Sequence, residues 1–219
     1  MVDKNLLADV ELFRALSPDA FEQVAEEARP LTLRRGDALF AEGDVAEELF
    51  IVEKGRIAIA NRSVDGRESV VALMEPGDVF GELPLFDGVG RSAHARALEP
   101  SRVYAVSYAP LREIFERKPE LLWGVIELLA RRLRNMDAAL ADSVFLDVTG
   151  RTAKRLLELS AGADEFSLPI TQEELAGLVG ASRERVNKAI SSFIRLGWLE
   201  QRDRKYSITD REQLSRRSR

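Results

Sequence analysis

The stretch Thr171-Gln-Glu-Glu-Leu-Ala-Gly-Leu-Val-Gly-Ala-Ser-Arg-Glu-Arg-Val-Asn-Lys-Ala-Ile190 spells two short helices and the turn between them. Thr171 and Glu174 stand at the spacing of a capping box, in which a hydroxyl and a carboxylate satisfy each other's backbone N–H groups. Leu175, Ala176 and Val179 share one face of the first helix. Gly180 lets the chain turn with positive φ. Ser182 caps a second helix whose apolar face is Val186 and Ile190, and the small Ala176 lets the two helices cross closely. The pattern predicts a helix-turn-helix. Behind it, Trp198–Thr209 reads as a hairpin folded around Arg202–Lys205, in the position of a wing.

The second helix turns Arg183, Glu184 and Lys188 away from its apolar face. Arg and Lys side chains donate to guanine O6 and N7, and Glu accepts from cytosine N4. Arg185, Ser182 and Thr171 suit phosphate contacts. Charge follows the same division. Residues 1–147 hold 18 Lys+Arg against 27 Asp+Glu, whereas residues 148–219 hold 14 against 10. An acidic front and a basic tail place the tail near an anion such as nucleic acid. The competing reading is a helical hairpin with solvated charges. A cap, a small residue, a glycine turn and two apolar faces in one stretch count against it.

Upstream, Asp147-Val148-Thr149-Gly150-Arg151 reads as a hinge, followed by a helix over 151–160 and a loop at Ala161–Phe166. Before the hinge lies a long helical run. Leu122, Ile126, Leu129, Leu133, Met136, Leu140 and Ser143/Val144 repeat at three and four residues, the period that holds two helices in register. A core helix of its own domain would share the pattern. Its length and its place between two small domains favour the spine of a parallel homodimer.

Residues 31–108 have another texture. Short β-rich runs at Leu31–Leu33, Leu49–Val52, Arg56–Ala60, Ser69–Met74 and Val103–Val106 are punctuated by Gly36-Asp37, Gly43-Asp44, Lys54-Gly55, Asp65-Gly66 and Pro76-Gly77-Asp78. Turn signals this regular predict a compact antiparallel β-roll. A helix over 5–29, with Ser17-Pro18 as an internal start signal, precedes it. Within the roll, Phe80-Gly81-Glu82-Leu83-Pro84-Leu85-Phe86 is followed by Gly90-Arg91-Ser92-Ala93. Gly81 permits close backbone approach to an anion. Arg91 can neutralise a phosphate and Ser92 can add a hydroxyl donor. Glu82 is an acceptor suited to a ribose hydroxyl. A β-turn explains Gly-Glu-Leu alone; Arg-Ser eight residues on makes the combination specific.

Composition narrows the function classes. The 219 residues include no cysteine and one histidine, His94. Disulfides, thiolate metal sites, Cys-ligated iron–sulfur clusters and cysteine nucleophiles are therefore out. No apolar run suggests a membrane helix and no secretory signal opens the chain, so a cytoplasmic location and no membrane partner are expected. No stretch is left for a catalytic domain, and no enzyme activity is expected.

These residues together resemble the cyclic-AMP receptor protein/fumarate–nitrate regulator (CRP/FNR) family of bacterial transcription factors, and in order and length its cyclic-AMP receptor branch. The resemblance rests on the β-roll glycines, Gly81-Glu82-Leu83 with Arg91-Ser92, the long helix, Asp147–Arg151 and the helix-turn-helix. It implies an α+β chain: residues 1–117 a cyclic-nucleotide-binding β-roll (jelly roll), 118–146 the long dimerisation helix, 147–219 a winged helix-turn-helix. It further implies a homodimer that takes a cyclic nucleotide as effector, holds no catalytic cofactor, and binds double-stranded DNA at an inverted TGTGA-like repeat read by Arg183, Glu184 and Lys188. RNA polymerase is the implied partner, with the loop Ala161–Phe166 as the contact. The nucleotide-binding set is Gly81, Glu82, Leu83, Arg91, Ser92, Arg132, Arg134, Met136 and Asp137. His94 stands where a bulky core residue is usual, and a packed histidine is expected in preference to a heme ligand.

One place departs from the cyclic-AMP branch. There the long helix offers adjacent hydroxyls to adenine; here it offers Met136 and Asp137. A carboxylate is acceptor-only, and guanine presents N1–H and N2–H side by side. Arg134-Asn-Met-Asp137 also resembles the Arg-x-x-Asp element of proteins that bind cyclic di-GMP. Cyclic di-GMP or cyclic GMP is therefore expected as effector ahead of cyclic AMP. The alternatives are a cyclic-AMP-responsive regulator, a constitutive regulator with a vestigial pocket, and a nucleotide-binding module without DNA function.

Overall fold

A computed structural model describes residues 2–14, 16–64, 68–168, 170–203 and 205–219. The expected Asp65-Gly66 turn lies outside the described residues. Among them no helix is long and apolar enough to cross a membrane. The chain divides into two compact units, Met1–Leu133 and Arg134–Arg219.

The first unit opens with α1 (Lys4–Asp9) and α2 (Pro18–Glu27). The single helix expected over 5–29 is therefore two. Pro18 occupies the first turn of a new helix, where its missing N–H costs nothing. The Asp3 carboxylate caps the other, accepting from the Asn5 and Leu6 N–H groups. Eight strands follow: β1 (Arg29–Leu33), β2 (Ala38–Phe40), β3 (Glu48–Lys54), β4 (Ile57–Arg62), β5 (Glu68–Met74), β6 (Val79–Phe80), and, after the short helix α3 (Leu83–Asp87), β7 (His94–Ala97) and β8 (Ser101–Ser107). They form two antiparallel sheets of order β1-β8-β3-β6 and β2-β7-β4-β5. Leu33, Phe50, Val52, Phe80, Val103 and Ala105 of the first sheet pack against Ile57, Ala95 and Ala97 of the second. The opposite face of the first sheet, through Leu49, Ile51, Tyr104 and Val106, packs on Leu7, Val24 and residues of α4 (Tyr108–Arg117). A sheet buried on both faces needs continuous apolar runs, which is why β3 reads Leu-Phe-Ile-Val without alternation.

A short 3₁₀ turn, Pro119–Leu121, leads into α5 (Leu122–Phe145). Along this helix the heptad splits. Leu122 and Leu129 pack on the core of the first unit. Ile126, Leu133, Met136, Leu140 and Val144 are exposed, as is Trp123. Leu122 and Leu129 thus leave the exposed stripe expected of them, and Trp123 joins it.

In the second unit, α6 spans Val148–Leu159. Residues 147–151 are not the irregular hinge expected of them. Asp147 is the N-cap of α6, accepting from the Gly150 N–H at 2.8 Å, and the helical break narrows to Leu146 and Asp147. Gly150 is small for packing: a Cβ there would lie 3.0 Å from the Arg217 carbonyl oxygen. β9 (Glu165–Ser167), α7 (Gln172–Val179), α8 (Arg183–Arg195), β10 (Leu199–Arg202), β11 (Lys205–Ile208) and α9 (Arg211–Arg217) complete the chain. The β10–β11 hairpin pairs with β9 in a small antiparallel sheet. The architecture is a β-roll, a long helix and a winged helix-turn-helix.

Candidate functional site

Gly81 follows the last residue of β6, which Phe50 of β3 holds in register opposite Phe80. Its φ of +73° turns the chain into α3, a conformation side-chain-bearing residues rarely adopt. Arg91 sits just before β7, and its backbone is zipped to a neighbouring loop. The Arg91 N–H donates to the Asp44 carbonyl at 2.9 Å and the Gly43 N–H donates to the Arg91 carbonyl at 2.8 Å. A Cβ at Gly90 would lie 2.8 Å from the Gly43 carbonyl oxygen, so glycine is needed for the two loops to meet.

The Arg91 side chain is buried, 6% exposed, and stacks over Phe40 at 4.2 Å from the ring centroid. Nη1 donates to the Gly81 carbonyl at 2.8 Å and to the Tyr108 hydroxyl at 3.2 Å; Nη2 donates to the Glu48 carbonyl at 2.8 Å. Nε is buried and has no acceptor. A guanidinium has five N–H donors in a planar fork. Nε is a donor left over here, and it shares one edge of the fork with Nη2. That edge matches two oxygens of a phosphate or carboxylate. A buried charge with no ion pair among the described residues is expensive, and an anion in this position would offset the cost.

Glu82, fully buried, accepts from Nη1 of Arg132, whose Nη2 donates to the Val79 carbonyl. The second Glu82 carboxylate oxygen is buried without a donor. It is an acceptor in waiting for a hydroxyl. Gly81, Glu82, Arg91 and Arg132 are thus tied into one part of the first unit. Leu83 opens α3 and is partly exposed, and Ser92 is exposed beside Arg91. Arg134, Met136 and Asp137 belong to the second unit, on exposed positions of α5. His94 lies in β7, where its Nδ1 accepts from the Glu42 N–H at 3.4 Å.

In the helix-turn-helix both halves of the capping box form. The Thr171 N–H donates to Glu174 Oε2 at 2.7 Å, and the Glu174 N–H donates to Thr171 Oγ1 at 3.2 Å. Gly180 closes α7 at φ 66° and ψ 45°. The Ser182 hydroxyl accepts from the Arg185 N–H at 3.4 Å. Val186, Ala189, Ile190 and Phe193 bury one face of α8. Burying that face leaves Thr171, Ser182, Arg183, Glu184, Arg185 and Lys188 all in solvent. A cleft on the same side is lined by Arg185, Lys188 and Arg195 together with Val148, Thr149 and Ser192.

The sequence reading missed several of these groups. Tyr108, Glu48 and Phe40 hold Arg91, but nothing in Ser107-Tyr108-Ala109-Pro110 announces a hydroxyl aimed at a residue 17 positions away. The cleft residues Arg195 and Ser192 lie along α8 beyond the helix-turn-helix stretch, and only the position of α6 brings Val148 and Thr149 beside them.

Residues 30–118 match the family model described as a cyclic nucleotide-binding domain, and residues 150–217 match that of a Crp-like helix-turn-helix domain. The chain is 38% identical over 222 residues to the CRP-like cAMP-activated global transcriptional regulator of Mycobacterium tuberculosis, covering 98% of this chain and 99% of that protein. Among solved structures it is similar to the c-di-GMP responsive global regulator CLP of Xanthomonas campestris, with 25% identity and a TM-score of 0.76, covering 88% of this chain and 99% of that one. FixK2 from Bradyrhizobium japonicum shares the fold at a TM-score of 0.79 and 23% identity, covering 88% of this chain and 98% of that one.

Proposed function

The chain belongs to the CRP/FNR family of cyclic-nucleotide-responsive, DNA-binding transcription regulators, which are not enzymes, and from that premise we propose that it is a homodimer whose DNA affinity is set by a nucleotide phosphate held on Arg91. The observation that carries this reading is the buried Arg91 guanidinium, whose Nε has no partner on the Nε–Nη2 edge of the fork. A cyclic nucleotide has two non-bridging phosphate oxygens to meet that edge. Ser92 adds a hydroxyl from the exposed side, Gly81 and Leu83 supply the backbone around it, and the unpartnered Glu82 oxygen accepts a ribose hydroxyl, with Arg132 holding the carboxylate in place.

Dimerisation runs along α5. Ile126, Leu133, Met136, Leu140 and Val144 form an apolar stripe too long to leave in water, at a spacing suited to a second copy of the same helix. The ligand can favour one arrangement of that dimer only through unequal affinity for the two. In the favoured arrangement the two α8 helices enter successive major grooves, about 34 Å apart. Arg183, Glu184 and Lys188 read an inverted TGTGA-like repeat. Thr171, Ser182 and Arg185, with the cleft beside Val148 and Thr149, take the phosphate backbone. The surface offered to RNA polymerase is Ala161–Phe166, a turn from Ala161, whose φ is 47°, that passes at Glu165 and Phe166 into β9 and not the loop throughout that was expected. The protein works in the cytoplasm.

The base is assigned to Arg134, Met136 and Asp137, and a guanine nucleotide is preferred. Arg134 and Asp137 stand three residues apart on one helix and are exposed, and neither forms an ion pair among the described residues. Both therefore remain available to a ligand. The CLP structure is that of a c-di-GMP responsive regulator. A second reading, cyclic AMP, is favoured by the relative of 38% identity, named as cAMP-activated. Calorimetric titration of the pure protein with cyclic di-GMP, cyclic GMP and cyclic AMP decides between them: tighter binding of cyclic AMP removes the guanine assignment and leaves the phosphate site standing.

A further inference from the structure

Tyr108 opens α4, directly after β8, and is 2% exposed. Its hydroxyl donates to the Gly81 carbonyl and accepts from Nη1 of Arg91 at 3.2 Å. The same Nη1 donates to the same carbonyl at 2.8 Å. Three groups thus close a small ring of hydrogen bonds: the tyrosine hydroxyl, the glycine carbonyl and one guanidinium nitrogen.

The consequence lies in how the guanidinium is held. The Gly81 carbonyl and the Tyr108 hydroxyl, hydrogen-bonded to each other, lie side by side before Nη1 and share its N–H. With Nη2 anchored on the Glu48 carbonyl, the guanidinium plane is held at both terminal nitrogens. Without the hydroxyl, Nη1 keeps only the Gly81 carbonyl, and that carbonyl loses its second donor. The guanidinium is then held by one partner fewer, and its Nε side is less firmly aimed. Burial pushes the Tyr108 phenol above its ordinary value, so it stays a neutral O–H and keeps its donor for Gly81.

We propose that Tyr108 is a positioning residue of the nucleotide site: its hydroxyl locks the Arg91 guanidinium with the Nε–Nη2 edge facing the phosphate. This rests on the reading of Arg91 as the phosphate ligand. It adds that part of the affinity is stored in a residue that does not itself touch the anion, by pre-organisation before the ligand arrives.

The test is a double-mutant cycle on the full-length protein, titrated calorimetrically with cyclic AMP, cyclic GMP and cyclic di-GMP, using the tightest of the three as probe. Tyr108→Phe keeps the ring and removes the hydroxyl. It is expected to weaken binding about tenfold, the scale of one lost buried hydrogen bond. In an Arg91→Lys background, where no planar fork remains to be aimed, the same change is expected to have no effect. A loss of equal size in both backgrounds, or no loss in the wild-type background, overturns the role of Tyr108. A wild-type protein that takes up none of the three nucleotides overturns instead the reading of Arg91, and this inference with it.

Discussion

Arg91 and Gly81 are matched to one another: Nη1 of Arg91 donates to the Gly81 carbonyl at 2.8 Å, and a Cβ on Gly81 would stand 2.5 Å from that same nitrogen. The glycine is both the acceptor for the guanidinium and the gap that admits it. Its φ of +73° would also strain any other residue. Site and fold are therefore not separable here, which shapes the first expectation.

Arg91→Leu is expected to abolish nucleotide binding. It also takes the guanidinium donors from the Glu48 and Gly81 carbonyls, the second keeping only the Tyr108 hydroxyl, so it destabilises the first unit by about 1–3 kcal/mol. Arg91→Lys retains charge but not the fork, and is expected to bind weakly with a smaller stability loss. Calorimetry and thermal melts of the same samples separate the two effects.

On α8, Arg183→Ala is expected to cost about 1–3 kcal/mol at the specific site and to relax sequence preference there. Arg185→Ala, at the cleft beside Thr149, is expected to weaken all DNA more evenly and to reduce the salt slope by about one. Gel-shift titrations over a range of salt check both. Specific binding left unchanged by Arg183→Ala would remove it from the reading set.

The dimer is best probed where α5 carries no other duty. Leu140 is 65% exposed and takes no part in the two core clusters of the first unit. Leu140→Asp is expected to leave each unit folded, to give monomers by light scattering, and to lower DNA affinity. Leu129→Asp would be a poorer choice, because Leu129 packs on the first unit's core. A monomeric wild type would contradict the seam.

Asp147 gives a pH dependence. The Gly150 N–H, followed by the Arg217 guanidinium, holds the Asp147 carboxyl below its ordinary value. A carboxylate lowered in the folded state contributes stability that is present above its unfolded value and lost as pH falls through its folded one. The second unit is therefore expected to lose stability on acidification below about pH 4. Asp147→Asn is expected to flatten that part of the profile, measured by melts from neutral to acid pH. An unchanged profile would mean that other carboxylates set it.

The helix-turn-helix was legible because each signal in it is local: a Thr and a Glu three apart, a glycine in left-handed conformation, a serine cap. The pairing of Gly81 with Arg91 was legible for a related reason, since each carries a distinctive chemistry and the fold brings them together. The short strands β2, β6 and β7 were not. They have two to four residues, and partners distant in sequence, not an alternating pattern, hold them. A heptad also cannot say which of its apolar residues face the chain's own core. Leu122 and Leu129 do so and Trp123 takes a place on the open face, because the first unit covers only one side of α5. Asp147–Arg151 read as a break for want of apolar spacing, whereas an aspartate cap and a glycine under Arg217 begin a helix there.

A nucleotide on Arg91 is expected to change how tightly α8 holds DNA. Fluorescence anisotropy of a labelled duplex carrying an inverted TGTGA-like repeat measures this directly, with the wild-type protein titrated alone and with cyclic AMP, cyclic GMP or cyclic di-GMP. Nucleotide is expected to shift the DNA dissociation constant, a guanine nucleotide to act at a concentration roughly tenfold to a hundredfold lower than cyclic AMP, and Arg91→Leu to abolish the response. DNA affinity that is the same with and without each of the three nucleotides would contradict it.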